Sequence, residues 1–91
     1  MHRSHELETL WQDLQGIDAA SARDRFTDLF RRGCELLNLD DEDAARAFDT
    51  SRPNVSRWKR GTVVPPAAML VLRFLREEVD AKVNGSTGSS R

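Results

Sequence analysis

Apolar residues recur along this chain at steps of three and four, which is the spacing that places side chains on one face of an α-helix. The first such stripe belongs to a helix predicted over residues 5–16, and it consists of Leu7, Leu10, Trp11 and Leu14. No segment alternates apolar and polar residues over the length of a β-strand. The pattern therefore predicts an all-α fold, a small five-helix domain that spans residues 1–83.

The second predicted helix covers residues 22–38. Ser21 and Asp24 have the spacing of a capping box, which indicates its start. Gly33 lies on the apolar face, where a glycine is about 1 kcal/mol less favourable than alanine, so we expect another backbone to pass close to it. Cys34 lies near the same face and is interpreted as a small buried residue rather than a reactive thiol. As the single cysteine, it also excludes an internal disulfide and agrees with a reducing compartment.

Two short helices follow, and each begins after a residue that is suited to cap it. Asp40 is expected to cap a third helix over residues 41–48, and Ser51 a fourth over residues 52–60. Only a tight turn separates the two helices. Together they have the layout of a helix-turn-helix over residues 41–60.

The last predicted helix, over residues 66–82, is unusually apolar. Eight of the nine residues from Ala67 to Leu75 are apolar, whereas a surface helix needs only an apolar stripe. The helix is therefore expected either to lie at the centre of the core or to be shared with a second subunit. In the second case, the homodimer interface is predicted to hold Met69, Leu72, Arg73, Leu75 and Val79. Residues 84–91 are rich in Gly and Ser and are predicted to form a disordered tail.

Charge is unevenly distributed along the chain. The sequence holds 14 Lys and Arg against 15 Asp and Glu, a net charge of -1 that excludes a simple polycation. Residues 51–60, however, carry four of the basic residues and no acidic residue. This cluster favours an anion-binding surface, for which nucleic acid is the obvious ligand, although a solvated helix face would have the same charge pattern.

The residues around this cluster match a known motif position by position. The match includes a small residue inside the first helix, a turn residue suited to left-handed geometry, a serine at the next helix start, two apolar core positions and a closing glycine: Ala45, Asp49, Ser51, Val55, Trp58 and Gly61. The segment 44–61, AARAFDTSRPNVSRWKRG, thereby resembles the phage-repressor/Cro-type (XRE-like) helix-turn-helix family. The resemblance covers about residues 23–80 and implies a bacterial or phage DNA-binding protein.

The resemblance also implies roles for individual residues. The helix over residues 51–60 would lie in the major groove, with base contacts from Arg52, Pro53, Asn54 and Arg57. Phosphate contacts would come from Ser51, Ser56, Lys59 and Arg60. Arginine can bind guanine O6 and N7 through two hydrogen bonds, whereas phosphate contacts set the register without reading sequence.

One departure from the family pattern concerns the start of the first motif helix. The family commonly has Gln or another phosphate-binding group there, whereas this chain has Asp41, Glu42 and Asp43. These carboxylates are expected to repel phosphates. Either the domain tilts away from DNA at that end, or its affinity is modest, or it does not read DNA.

Two functions are consistent with these observations. The first is a sequence-specific regulator of transcription that binds double-stranded DNA as a homodimer, in the cytoplasm and associated with the nucleoid. The alternative is a protein-interaction module, an antitoxin or a co-regulator, whose protein partner binds the N-terminal or the C-terminal helix. An enzyme is not expected, because the chain has no Gly-rich phosphate loop and no Cys/His set with metal-ligand spacing. We expect no cofactor, no metal and no membrane contact.

Overall fold

The computed structural model describes residues 2–83, and within this range the protein is all-α with five helices. The helices are α1 (His2–Gln15), α2 (Ala19–Leu36), α3 (Asp41–Ala47), α4 (Arg52–Arg60) and α5 (Ala68–Val83). The prediction of an all-α five-helix domain is confirmed. The tail predicted for residues 84–91 lies outside the described residues.

The start of α2 differs from the sequence prediction. Asp18, rather than Ser21, is the N-cap, and its carboxylate accepts a hydrogen bond of 2.8 Å from the backbone N–H of Ser21. That backbone hydrogen bond lowers the pKa of Asp18. The helix therefore begins at Ala19, because a carboxylate both accepts from the free N–H groups and interacts favourably with the helix dipole.

The core lies where α5 packs against α1 and α2. Its largest fully buried side chains include Leu10 of α1, Phe26 and Phe30 of α2, and Leu75 of α5. Gly33 makes room for α5, because a Cβ at that position would lie 3.0 Å from a methyl carbon of Leu75. The nearest neighbour is thus a side chain and not the backbone that the sequence predicted. Cys34 is 1% exposed, as expected for a small core residue.

The predicted dimer interface on α5 is wrong for three of its five residues. Leu72, Leu75 and Val79 are 2%, 0% and 0% exposed within the single chain, so α1 and α2 already cover them. The apolar excess of α5 is thereby explained largely by its central place in the core. Met69 is half-buried and Arg73 is exposed, so these two remain accessible.

Aromatic side chains attach the short helices to this core. The Trp58 ring of α4 meets Phe26 and Phe30 edge to face, at centroid distances of 5.9 and 5.5 Å. Phe48, which follows α3, contacts Phe74 of α5 at 5.0 Å. Aromatic pairs of this kind each contribute about 0.5–1.5 kcal/mol beyond their burial. The orientation of α3 and α4 is therefore fixed by the rest of the domain.

Candidate nucleic-acid interface

The turn between α3 and α4 depends on one residue in the left-handed region. Asp49 has a φ of 55°, a conformation that Asp adopts more readily than most residues. The chain thereby reverses, and the N–H of Thr50 donates to the carbonyl of Ala45 at 2.8 Å. The expectation of left-handed geometry at Asp49 is confirmed. The result is a tight connection that brings α4 against both α3 and α2.

Local chemistry determines both ends of α4. The Ser51 hydroxyl caps the helix by accepting a hydrogen bond of 3.3 Å from the N–H of Asn54, and Pro53 lies in the first turn, where no N–H is needed. At the other end Gly61 has a φ of 81°, and its N–H donates to the carbonyl of Arg57 at 3.0 Å. The predicted bounds of this helix are confirmed.

One side of α4 is buried and the other is exposed. Val55 and Trp58 face the core, at 0% and 7% exposure. The exposed residues of the helix are Arg52, Pro53, Arg57 and Arg60. Arg60 and Pro53 lie most directly opposite the buried face by helical periodicity, while Arg52 lies on the flank that is nearer α3.

Within residues 5–83 the three arginines of α4 form no ion pair with a carboxylate. Two of them instead donate to uncharged groups on their own helix. Arg57 donates to the Asn54 amide oxygen at 2.8 Å, and Arg60 donates to the Ser56 hydroxyl at 2.6 Å. Their positive charges therefore remain available to an external anion.

Lys59 differs from these arginines. Its Nζ donates to Oδ1 of Asp41 at 2.7 Å, and the two side chains are 28% and 43% exposed. This residue, expected to contact phosphate, therefore already has an internal counter-ion on α3. Asn54, expected to read a base, is half-buried, and its amide nitrogen donates to the Thr50 hydroxyl at 3.0 Å.

The acidic residues at the start of α3 all have partners. Asp40 is the N-cap, and the backbone N–H of Asp43 that donates to it lowers its pKa. Glu42 and Asp43 lie 3.3 and 3.7 Å from the guanidinium of Arg46. Together with the Asp41 pair, these contacts partly neutralise the segment that was expected to repel phosphates.

Arg31 is a residue near the site that the sequence did not single out. It is exposed on α2, and its guanidinium donates to the carbonyl of Lys59 at 3.4 Å, next to the C-terminal end of α4. A cation interacts favourably with that end of a helix. The two residues are 28 positions apart, so no local pattern distinguishes Arg31 from the other arginines of α2.

No group of three or more His, Cys, Asp or Glu in the described part of the chain has an arrangement that could hold a metal ion. Residues 2–83 also contain no helix with the length and apolar character needed to cross a membrane.

Comparison with protein-family models, with curated proteins and with solved structures finds no match. The resemblance to the Cro-type family therefore rests on this chain's own residues.

Proposed function

We propose that this protein is a sequence-specific, double-stranded DNA-binding regulator of transcription, which reads the major groove with α4 in the cytoplasm, on the nucleoid. The observation that carries the proposal is the exposed face of α4. Arg52, Arg57 and Arg60 are presented there on a capped helix, without a carboxylate partner in residues 5–83. A major groove about 12 Å wide admits an α-helix, and its phosphates attract such a cationic surface.

The roles of the side chains follow from their places around α4. Arg57 and Arg52 are proposed to contact bases, and Pro53 supplies apolar contact between them. Ser51, Ser56 and Arg60 are proposed to contact phosphates, which set the position of the helix in the groove. Lys59 contributes less than its charge suggests, because Asp41 holds it at 2.7 Å.

A homodimer is part of the proposal, because a single recognition helix reads few base pairs. Two subunits that bind half-sites about one helical turn apart supply the contacts that useful affinity requires. Leu70 and Val63 are the large apolar residues that remain exposed in the described chain, at 61% and 41%. Leu70 shares α5 with the accessible Met69 and Arg73, and these three residues define the patch that we propose for dimer contact.

The test is selection of bound sites from random DNA, followed by two substitutions. The wild-type protein should select a site with two related halves. Arg57→Ala should relax the preference at one position of each half, whereas Arg60→Ala should weaken binding to all sequences alike. The logarithm of the association constant for DNA, log K, should fall linearly with the logarithm of the salt concentration, with a slope of about 0.9 for each phosphate that the protein neutralises. If neither substitution changes the sequence preference or the salt dependence, these roles are contradicted.

The exposed Leu70 and Val63 also favour a second candidate, a protein-interaction module that acts as an antitoxin or a co-regulator. Its partner would cover that patch or the outer face of α1. A gel shift with random DNA at low salt separates the candidates. Micromolar protein should shift DNA if α4 is a DNA-reading helix, because non-specific binding is roughly micromolar to 100 micromolar even at physiological salt. The absence of any shift favours the interaction module.

A further inference from the structure

A chain of hydrogen bonds runs from the turn of the helix-turn-helix to the face of α4. The N–H of Thr50 donates to the carbonyl of Ala45, and this hydrogen bond holds Thr50 in the turn. The Thr50 hydroxyl accepts from the Asn54 amide nitrogen at 3.0 Å, in a partly buried position. The Asn54 amide oxygen then accepts from Nη1 of Arg57 at 2.8 Å. We call these three side chains, Thr50, Asn54 and Arg57, the polar relay.

We propose that Asn54 is a positioning residue, which holds the Arg57 guanidinium in the orientation that reads guanine and does not itself read adenine. The proposal rests on the proposed function, since it assigns the sequence preference of the same helix. Direct reading of adenine by asparagine requires both its amide oxygen and its amide nitrogen. In the relay, Thr50 takes one N–H of that nitrogen and Arg57 one lone pair of that oxygen, so both contacts hold the half-buried amide against its own turn and helix.

The hydrogen bond to Asn54 leaves the Arg57 guanidinium able to bind a base. Arginine has five N–H donors, and a bidentate pair with guanine O6 and N7 uses two of them. The hydrogen bond to Asn54 uses one donor of Nη1, so enough remain for the base. The gain is conformational, because an arginine that is ordered before binding loses less rotamer freedom when the complex forms.

The test compares two substitutions at Asn54 on the site selected by the wild-type protein and on the same site with its guanine replaced. Asn54→Leu removes the acceptor for Arg57. Discrimination, the ratio of the affinities for the two sites, should fall about three- to tenfold, which corresponds to the free energy of ordering one long side chain. Asn54→Asp keeps the acceptor, so discrimination should be retained even though the added charge weakens binding to both sites. The salt slope of the leucine variant should equal that of the wild type, because no charge is lost.

Two further measurements distinguish positioning from a general effect on the fold. In an Arg57→Ala background, Asn54→Leu should cause no additional loss of discrimination, since the residue acts through Arg57. In the free protein, Thr50→Val should shift the NMR signals of the Asn54 side-chain amide, and Asn54→Leu should increase the mobility of the Arg57 side chain. Unfolding by urea shows whether each variant remains folded.

The outcomes separate this inference from the proposed function. Unchanged discrimination in a folded Asn54→Leu variant overturns the positioning role and leaves DNA binding intact. A changed preference at an adenine position, with the guanine preference unaltered, means that Asn54 reads the base directly and also overturns it. A wild-type protein that binds no DNA overturns both proposals, even if the NMR measurements detect the relay.

Discussion

Lys59 of α4 and Asp41 of α3 form an ion pair across the helix-turn-helix, with 2.7 Å between Nζ and Oδ1. The pair joins the cationic helix to the acidic start of its neighbour. Because both side chains are partly exposed, it contributes only about 0–1 kcal/mol to stability. The pair has a larger effect on the binding of anionic ligands, because it cancels one of the four positive charges on α4.

Asp41→Asn should therefore strengthen DNA binding. The substitution removes a carboxylate and releases Lys59, so affinity at low salt should rise by roughly fivefold and the slope of log K against log salt should steepen by about 0.9. Fluorescence anisotropy with a labelled duplex, at several salt concentrations, measures both quantities.

Glu42→Gln is the matched control for this prediction. It removes one acidic charge from the same helix, but Glu42 pairs with Arg46, so Lys59 stays bound to Asp41. Its salt slope should equal that of the wild type. Equal steepening by the two variants would mean that the overall charge of α3, rather than the release of Lys59, controls binding.

Leu70→Glu should prevent dimer formation. Leu70 is 61% exposed, so the substitution places a charge in the proposed contact without disturbing the core. Sedimentation should show a shift from dimer to monomer, and binding to a duplex with two half-sites should weaken more than binding to one half-site. Gln12→Glu adds the same charge at an exposed position of α1 and should leave the mass unchanged. A Leu70→Glu protein that sediments like the wild type would place the dimer contact elsewhere.

Stability should decline at high pH because of Cys34. Burial raises the pKa of this thiol from 9.0 to about 11. Above pH 9 the unfolded chain releases the proton while the folded chain keeps it, so unfolding becomes more favourable as pH rises toward 11. The decline contributed by this one group reaches at most about 1.4 kcal/mol per pH unit.

Urea unfolding between pH 7.5 and 10.5 measures this effect as a difference between two proteins. The sequence contains no Tyr, and the titration of other groups cancels when the wild type is compared with Cys34→Ala. The variant should be less stable at neutral pH, because it leaves a small cavity, and this deficit should shrink as pH rises. A constant deficit over the whole range would show that the thiol does not titrate differently in the two states.

Gly61→Ala should destabilise the domain by about 1–2 kcal/mol, because a Cβ is strained in the left-handed region. Gly61 has a φ of 81°, and a Cβ there would also lie 3.2 Å from the Thr27 hydroxyl oxygen. Gly16→Ala is the control, since nothing lies within 4 Å of its added methyl and its φ is not in the left-handed region. Chemical denaturation should show little change for the control, and similar losses in both variants would exclude backbone strain as the cause.

Local signals in the sequence predicted α4 closely. Its serine cap, its early proline and its closing glycine act within one turn of the helix, so a short window of sequence contains the interactions that define both ends. The left-handed turn at Asp49 and the cap at Asp40 were predictable for the same reason. The start of α2 was not, because Asp18 and Ser21 are both suitable caps and the sequence pattern alone did not identify Asp18.

The sequence by itself thus determined the five helices, the motif and the cluster of positive charge on α4. Only the tertiary structure decided that Leu72, Leu75 and Val79 belong to the core and not to a second subunit, and that Lys59 is paired with Asp41. The physical reason is the separation along the chain of the groups that interact. Helix ends depend on groups a few residues apart, whereas burial and charge pairing depend on which helix faces meet, and such partners are distant in the chain.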